Sequence, residues 1–275
     1  MTVAVTRAVE IGAKEVVCAS TGNTSASKAA YAAKAGLRVA VLIPRGKIAK
    51  GKLLQAVVHG ARIRQVTGNF DKALIKARTL ASKRRLYLVN SLNPYRIEGQ
   101  KTLAFEVWEQ LCKVPDAIIM PVGNAGNISA IWKGFSELKR VSATRSTLRM
   151  IGVQAAGAAP IADAYAKGDS DIIPWPHPET AATAIRIGAP ASWKKALRAV
   201  RDSDGAMLTV SDHEILGAQR LLASREGIFA EPSTSASVAG LLKASRSGLI
   251  NRRESIVCVI TGHGLKDQGS VGAAR

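Results

Sequence analysis

Four short polar or glycine-rich segments each follow a run of apolar residues. They are "STGNTSAS" (20–27), "NSLNPYR" (90–96), "GNAGN" (123–127) and "TGHGLKD" (261–267). Such segments combine hydroxyl, amide and guanidinium side chains with glycines that let backbone N–H groups turn toward a ligand. Because these groups bind phosphate and carboxylate, the chemistry they predict is the binding of anionic small molecules.

The first segment leads into an Ala-rich helix. The small polar residues around Gly22 are Ser20, Thr21, Asn23, Thr24 and Ser25. One such side chain is enough to cap the first free N–H groups of a helix, whereas a cluster can also hold an anion at the positive end of the helix dipole. On this segment alone, capping and ligand binding are equally supported.

The third segment joins an apolar strand to a helix. Gly123 and Gly126 let the backbone curl so that successive N–H groups point inward, and the following helix adds its positive end, which predicts a phosphate cradle. The GxGxxG spacing of dinucleotide-binding proteins and the Lys-Ser/Thr of a P-loop are both missing. A glycine-rich turn without a ligand is the alternative.

The remaining two segments carry single residues of interest. Thr261 at a strand end could hydrogen-bond a ring nitrogen of a planar cofactor, whereas the glycines beside His263 are typical of a tight turn in which histidine is incidental. Asn90, Ser91 and Arg96 offer an amide, a hydroxyl and a guanidinium suited to phosphate or carboxylate. Taken alone, this loop would be read as surface with an exposed arginine.

Short β-branched runs alternate with Ala/Leu/Lys helices along the chain. Strands are predicted at 14–20, 37–44, 61–68, 86–91, 116–123, 149–157 and 255–260. Helices are predicted at 24–35, about 70–84, from about 127, and at 211–225 and 233–246. Apolar strands each followed by a helix indicate the α/β class, with two open parallel sheets and a cleft between them.

Ligands of open parallel sheets bind at the carboxyl ends of the strands, so the four segments are expected to line one pocket. Residues 160–195 interrupt the alternation of predicted strands and helices because they are rich in proline and glycine. They are predicted to form a surface excursion or a lid near the site.

The composition excludes several classes of protein. No uncharged apolar run is long enough to span a membrane, and the first residues indicate an amphipathic helix without a cap rather than a signal peptide. Three widely spaced cysteines predict free thiols in a reducing cytoplasm, and the four histidines lack metal-ligand spacing. We therefore expect a cytoplasmic protein with no metal site.

The net charge of +19 is the one extreme value. It is compatible with nucleic acid, an anionic substrate or a host whose proteins are generally basic. The basic residues are scattered and aromatics make up only 4%, so no stripe for stacking bases is present. We expect a phosphate-bearing small molecule rather than nucleic acid.

The motifs together resemble the threonine synthase family. "ASTGNTSAS", "VNSLNPYRIEGQKTLAFE", "PVGNAGN", "ETAATAIRIGAPASW", "EGIFAEPSTSAS" and "TGHGLKD" occur in the order and context seen in that family, and the resemblance covers nearly all 275 residues. It implies a pyridoxal 5′-phosphate enzyme of fold type II, shared with tryptophan synthase β and cysteine synthase. Two open, mainly parallel three-layer α/β domains would enclose the cofactor cleft, with residues 14–104 in the smaller and residues 1–13 and 105–275 in the larger.

The resemblance also implies a reaction and a set of site residues. The reaction converts O-phospho-L-homoserine and water to L-threonine and phosphate, with a homodimer as a possible assembly. Asn23 would bond the 3′-hydroxyl of the cofactor, and Thr261 its pyridine nitrogen. The cofactor phosphate would be held by Gly123, Asn124, Ala125, Gly126 and Asn127. The substrate's phosphate or carboxylate would be surrounded by Ser20, Thr21, Thr24, Asn90, Ser91, Arg96 and Asn124.

One departure concerns the cofactor lysine. In the family, the lysine that forms the Schiff base lies in a "SFKDRG"-like motif just before the segment matching "MTVAVTRAVE", where this sequence begins. Lys28 is expected to point to solvent, and Lys101 and Lys266 to be structural. No catalytic residue is therefore assigned, and impaired turnover is expected.

Two other interpretations stay open. The chain could be a non-catalytic remnant or half of a split gene, binding phosphate ligands or a partner chain. It could also be a related dehydratase or sulfhydrylase, against which the Asn90, Ser91 and Arg96 loop argues, because those substrates need no second phosphate pocket.

Overall fold

A computed structural model describes residues 1–20, 22–45, 50–68, 70–84, 86–91 and 93–267. The chain divides into two compact units, Met1–Gln100 (unit 1) and Lys101–Arg275 (unit 2). The first helix, α1 (Thr2–Glu10), belongs to unit 1, where it packs against the helix Pro94–Gln100. The sequence-based limits, which grouped residues 1–13 with the larger domain, differ from this division and remain a prediction.

Unit 1 contains one parallel sheet. Its strands are β1 (Glu15–Ala19), β2 (Arg38–Pro44), β3 (Arg62–Val66) and β4 (Tyr87–Leu88). Its further helices are α2 (Asn23–Lys34), α3 (Lys50–Val58), α4 (Phe70–Arg84) and α5 (Pro94–Gln100). The strands lie in the order β3-β2-β1-β4 and all their pairings are parallel.

Unit 2 repeats this arrangement. Its strands are β5 (Ala117–Pro121), β6 (Arg149–Ala155), β7 (Ala206–Val210) and β8 (Ile256–Cys258). Its helices are α6 (Thr102–Leu111), α7 (Gly126–Arg140), α8 (Pro160–Lys167), α9 (Trp193–Asp202), α10 (Asp212–Glu226) and α11 (Pro232–Arg246), with 3₁₀ turns at Thr183–Ile185 and Gly264–Lys266. The strand order is β7-β6-β5-β8, again all parallel.

Each sheet is covered on both faces. All residues of β2 and β6 except the first are buried, which explains why these strands are apolar without alternation. Two separate apolar clusters lie in each unit. The predicted α/β class with two mainly parallel sheets is confirmed.

Two local predictions were wrong. Residues 160–167 form α8, which buries Ile161, Ala162 and Ala164, so this part of the segment is not an irregular excursion. Pro160 begins the helix and Gly168 ends it in the left-handed conformation, so residues that resembled breakers are its start and stop signals. The strand β7, "AMLTV", was missed because its first three residues, Ala, Met and Leu, are as typical of helices as of strands.

Both sheets reverse their order at one place. In unit 1 the chain runs outward from β1 to β3 and then returns to place β4 on the other side of β1. Unit 2 does the same with β8 beside β5. Such a reversal opens a crevice at the carboxyl ends of the two neighbouring strands.

No helix in the described ranges combines the length and the apolar character that a membrane crossing needs. The same ranges contain no group of three or more His, Cys, Asp or Glu residues that could hold a metal ion.

Candidate functional site

The loop between β5 and α7 has the properties of a phosphate cradle. Ala125 takes the left-handed conformation (φ 64°), which costs a non-glycine residue about 1 kcal/mol, and no side chain of the described residues caps α7. No hydrogen bond within the described part of the chain uses the N–H groups of residues 123–127. These donors and the positive end of a 15-residue helix favour an anion at this loop.

The cradle is fixed by its own neighbours. The side-chain oxygen of Asn124 accepts from the N–H of Ala191 at 3.3 Å, and its carbonyl accepts from Ser192 at 3.1 Å. A Cβ on Gly123 would lie 3.1 Å from the Ala184 oxygen and from the Ile185 Cα, so a side chain there would press on the backbone of residues 184 and 185. Asn124 therefore positions the cradle.

Residues 180–185, here called the strap, lie beside the cradle at Gly123. The Ala184 N–H donates to Ser233 Oγ at the start of α11, at 2.9 Å. The other anchors are Thr180 to Asp212, Ala181 to Asp212 and Thr183 to Asp267. These bonds tie the strap to three parts of unit 2, so the cradle has a fixed wall.

Thr261 lies at the same sheet edge as the cradle because β8 pairs with β5. Its hydroxyl oxygen lies 2.6 Å from that of Thr234, which also accepts from the N–H groups of Thr261 and Gly262. Sequence analysis assigned no role to Thr234. The signal was the polar run "PSTS" at the start of α11, which is wholly buried.

His263 takes the place expected of a turn residue. It is exposed, its Nδ1 accepts from the Leu265 N–H at 3.2 Å, and its ring packs edge-on against Phe229.

In unit 1, the segments after β1 and β4 are brought together by the pairing of those strands. Asn90 joins them directly, since its amide donates to the Ala19 oxygen at 2.8 Å and accepts from the Ala19 N–H at 3.1 Å. Asn90 is 4% exposed, so both of these hydrogen bonds are buried, and they hold the end of β1 in place.

The side chains around Gly22 bond to the turn itself. Ser20 Oγ accepts from the Gly22 N–H, and Ser25 Oγ donates to the Gly22 oxygen at 2.6 Å. No described side chain caps α2, and the capping interpretation stays a prediction. Asn23 and Thr24 form the first turn of α2 and are partly buried, whereas Thr21 lies outside the described residues.

Arg96 lies in α5 and is predicted to bind the substrate's phosphate or carboxylate. Its Nε is buried and has no hydrogen-bond partner among the residues that the structure describes. Burial lowers the pKa of Arg96 below its ordinary value, and the nearby Cys18 opposes that shift. An arginine with an unmet buried donor fits an anionic ligand. Ser91 is partly buried nearby in sequence.

The prediction that Lys28 points to solvent was wrong. Lys28 is fully buried, and its Nζ donates to the Ala40 oxygen at 2.8 Å. Burial lowers the pKa of Lys28, and interaction with Cys18 works in the opposite direction. The neighbouring Ala29 and Ala32 are small, so the long lysine stem fits between α2 and the sheet.

The other two lysines lie in unit 2. Lys101 forms an ion pair with Glu137 at 2.7 Å, as expected of a structural residue. Lys266 belongs to the last 3₁₀ turn, and its predicted structural role stays a prediction.

Comparison with known proteins gives the family. The family model described as "Pyridoxal-phosphate dependent enzyme" matches residues 1–262. A threonine synthase from Methanocaldococcus jannaschii is 56% identical over 268 residues, and one from Methanosarcina acetivorans 55% over 272. These alignments cover 97% and 98% of this chain but only 66% and 67% of the two relatives, so the chain spans about two thirds of their length.

Solved structures share the fold. Maize serine racemase superposes with a TM-score of 0.81 at 23% identity, covering 99% of this chain and 81% of its own. Threonine deaminase isoform 2 from Solanum lycopersicum gives 0.82 at 20%, covering 99% and 78%. The predicted fold type II is confirmed, and the chain belongs to the family of pyridoxal-phosphate dependent enzymes, among the threonine synthases.

Proposed function

We propose that this chain binds pyridoxal 5′-phosphate and carries out the threonine synthase reaction, converting O-phospho-L-homoserine and water to L-threonine and phosphate. The cradle after β5 is the observation that carries the proposal. Its N–H groups at residues 123–127 have no partner within the described chain, and Ala125 is held in a strained conformation that aims them. A phosphate group satisfies these donors without a counter-charge from a lysine or arginine.

The residues present fit the cofactor. In this proposal the cradle holds its phosphate, Thr261 its ring nitrogen and Asn23 its 3′-hydroxyl. The cofactor supplies an electron sink for carbanions formed next to the amino group of the substrate. The chain's own groups bind and orient, since backbone N–H groups and hydroxyls donate hydrogen bonds and carry no charge.

Unit 1 supplies the groups proposed for the substrate. Arg96 provides a buried guanidinium donor for a phosphate or carboxylate oxygen, supported by Ser20, Thr21, Thr24 and Ser91. Asn90 has both side-chain groups committed to Ala19, so we assign it to positioning those residues, with one amide hydrogen left for a ligand.

The proposal is tested on the purified chain with two measurements. Equilibrium dialysis gives the dissociation constant for pyridoxal 5′-phosphate, and coupled assays follow phosphate and threonine released from O-phospho-L-homoserine. We expect binding and, because no Schiff-base lysine is assigned in this chain, a slow release of the two products in equal amounts. Binding without any release would contradict the proposed reaction and leave a binder of phosphate ligands.

Two glycine variants test the cradle. Gly123→Val crowds the strap, whereas Gly217→Val on α10 enters open space, since a Cβ there meets no atom within 4 Å. We expect the first to weaken cofactor binding about 10-fold or more, consistent with clashes that cost 1–3 kcal/mol, and the second to leave it unchanged. Equal affinities in both variants would place the phosphate elsewhere.

Arg96→Ala separates substrate from cofactor. We expect a Michaelis constant for O-phospho-L-homoserine raised at least about 10-fold, because a charged hydrogen bond contributes roughly 1.5–3 kcal/mol. The dissociation constant of the cofactor should change little. Equal losses in both would overturn the assignment of Arg96 to the substrate.

A further inference from the structure

The strand β3 forms one edge of the sheet in unit 1, and β2 is the only strand of the described ranges that pairs with it. The Val66 oxygen accepts from the Arg45 N–H at 3.0 Å, so the backbone groups of Val66 point toward β2. Because successive residues of a strand direct these groups to opposite sides, those of Ile63 and Gln65 point away from β2. No hydrogen bond to them is present within the described part of the chain. The edge therefore offers open donors and acceptors to a further strand.

Two arginines lie on one face of this edge strand. Val66 packs in the apolar cluster that contains Ala73 and Ala77 of α4. Side chains two positions apart share a face of a strand, so Arg62 and Arg64 lie on the same side as Val66. Both arginines are exposed, and neither forms an ion pair with a residue that the structure describes. Their guanidinium groups are therefore accessible to carboxylates from outside.

Unit 1 has little negative charge to compensate these arginines. It contains four Asp and Glu residues, of which Glu10 pairs with Arg7 at 3.0 Å and Glu15 pairs with Arg38 at 3.9 Å. An uncompensated positive surface accelerates the association of acidic segments and disfavours basic ones. Charge complementarity thus favours an acidic occupant of the edge.

The opposite face of β3 borders an apolar helix surface. Ile63 belongs to the cluster that contains Ala56 of α3, so α3 lies on this face. The helix α3 packs against α2, whereas its side chains Leu54, Val57 and Val58 remain 62%, 48% and 73% exposed. Residues three and four positions apart lie on one side of a helix, so these three form an exposed apolar stripe, here called the α3 stripe. Contiguous apolar surface of this kind marks an interaction site.

We propose that the β3 edge is a docking surface for an extended polypeptide segment in which acidic and apolar residues alternate, and that the segment adds to the sheet as a further strand. Its backbone pairs with the open groups of Ile63 and Gln65. Because side chains alternate across a strand, its acidic residues face Arg62 and Arg64 while its apolar residues cover the α3 stripe. A nucleic acid could pair with the arginines, but it would leave the open backbone groups and the α3 stripe unused.

The first test compares two peptides on the unchanged chain, so it does not depend on the folding of a variant. One is a capped heptapeptide in which aspartate and valine alternate, and the other has the same residues with all aspartates first. Fluorescence anisotropy gives both dissociation constants. We expect the alternating peptide to bind at least about 10-fold more tightly, because only its order matches both faces. Equal affinities, or no binding of either peptide, would overturn the proposal.

Charge reversal tests the arginines. In the double variant Arg62→Glu and Arg64→Glu, the affinity for the alternating peptide should fall at least about 10-fold, because attraction becomes like-charge repulsion. The matched control is Lys34→Glu with Arg78→Glu, which changes the net charge equally at exposed positions of α2 and α4. An equal loss in both double variants would show only a general effect of charge and would contradict the assignment to β3.

Hydrogen exchange tests the pairing itself. With saturating alternating peptide, the amide hydrogens of Ile63 and Gln65 should exchange at least about 10-fold more slowly, because they gain a partner. Those of Arg62 and Arg64, which face β2, should change less. Unchanged exchange at Ile63 and Gln65 would overturn strand addition even where the peptide binds. A uridine oligonucleotide of the same charge that binds more tightly than the alternating peptide would also overturn it, in favour of a nucleic-acid surface.

Discussion

The two units share a strand order but not a chemistry. In both, the sheet reverses its order between the first and last strands, and the loops proposed to bind ligands follow those strands. Unit 1 has 18 Lys and Arg against 4 Asp and Glu, whereas unit 2 has 21 against 16. Unit 1 buries Lys28 and the Nε of Arg96 behind its loops, whereas unit 2 uses backbone N–H groups and paired hydroxyls.

The contrast shows that topology fixes where a ligand loop lies, and side chains decide how strongly it depends on its ligand. Neutral donors without a ligand cost little desolvation free energy because they carry no full charge. A buried cation costs several kcal/mol until an anion or hydrogen-bond acceptor compensates it. Unit 1 is therefore expected to respond to anions and pH more strongly than unit 2.

The largest effect is expected at Asn90 in unit 1. Asn90→Ala removes both bonds to Ala19 and leaves a buried N–H and a buried carbonyl without that partner. We expect the free energy of unfolding, measured in urea, to fall by about 2–4 kcal/mol. Asn251→Ala, which removes an exposed amide, should change it by less than about 0.5 kcal/mol. Equal midpoints for the two variants would show that Asn90 does not hold β1.

Lys28→Met tests the cost of the buried ammonium. Burial lowers the folded-state pKa below about 10.4, the value in an unfolded chain. Between those two values the unfolded state binds more protons, so the wild-type free energy of unfolding should rise with pH.

In the methionine variant the part of this rise in stability that comes from Lys28 should disappear. Lys34→Met, at an exposed position of the same helix, should keep the wild-type slope. Parallel pH profiles for the wild type and Lys28→Met would mean that Lys28 is not desolvated.

Arg96→Met sharpens the difference in response to anions. The unliganded variant should be as stable as the wild type or more stable by about 1 kcal/mol, because a desolvated donor is removed. Inorganic phosphate at 20 times its dissociation constant should stabilise the wild type by about 1.8 kcal/mol and the variant far less. Arg45→Met, at an exposed arginine of unit 1, should respond to phosphate like the wild type. If phosphate stabilised Arg96→Met as much as the wild type, Arg96 would not belong to the anion site.

The smallest effect is expected in thiol reactivity. All three cysteines are free: Cys18 is buried, Cys112 exposed and Cys258 partly buried. Burial raises the pKa of Cys258 to about 12, so little thiolate exists there at neutral pH. Alkylation at pH 8, followed by mass spectrometry, should modify Cys112 about 10-fold or more faster than Cys258. Comparable rates would show that the strand β8 opens readily.

Much of the molecule could be predicted from local sequence. Apolar or β-branched runs predicted seven of the eight strands in the described ranges. The runs of β2 and β6 are continuous because these strands are buried on both faces, whereas β3 is largely exposed. The glycine spacing of 123–127 indicated the cradle because glycines between a strand and a helix let successive N–H groups turn inward. The strand β7 was missed because Ala, Met and Leu are as typical of helices as of strands, and α8 was missed because Pro160 and Gly168 resembled breakers. The helices α5, α6 and α9 were not predicted either.

What the sequence determined by itself was the order of the elements, the polar segments at strand ends and the family. Only the tertiary structure decided that Thr234 meets Thr261, that Asn90 is committed to Ala19 and that Lys28 lies buried against Ala40. The first two contacts join residues 27 and 71 positions apart, and they form because neighbouring strands and helix ends are packed together. Periodicity reports the environment of one segment, whereas the direction of a hydroxyl hydrogen depends on every donor that the fold brings to it.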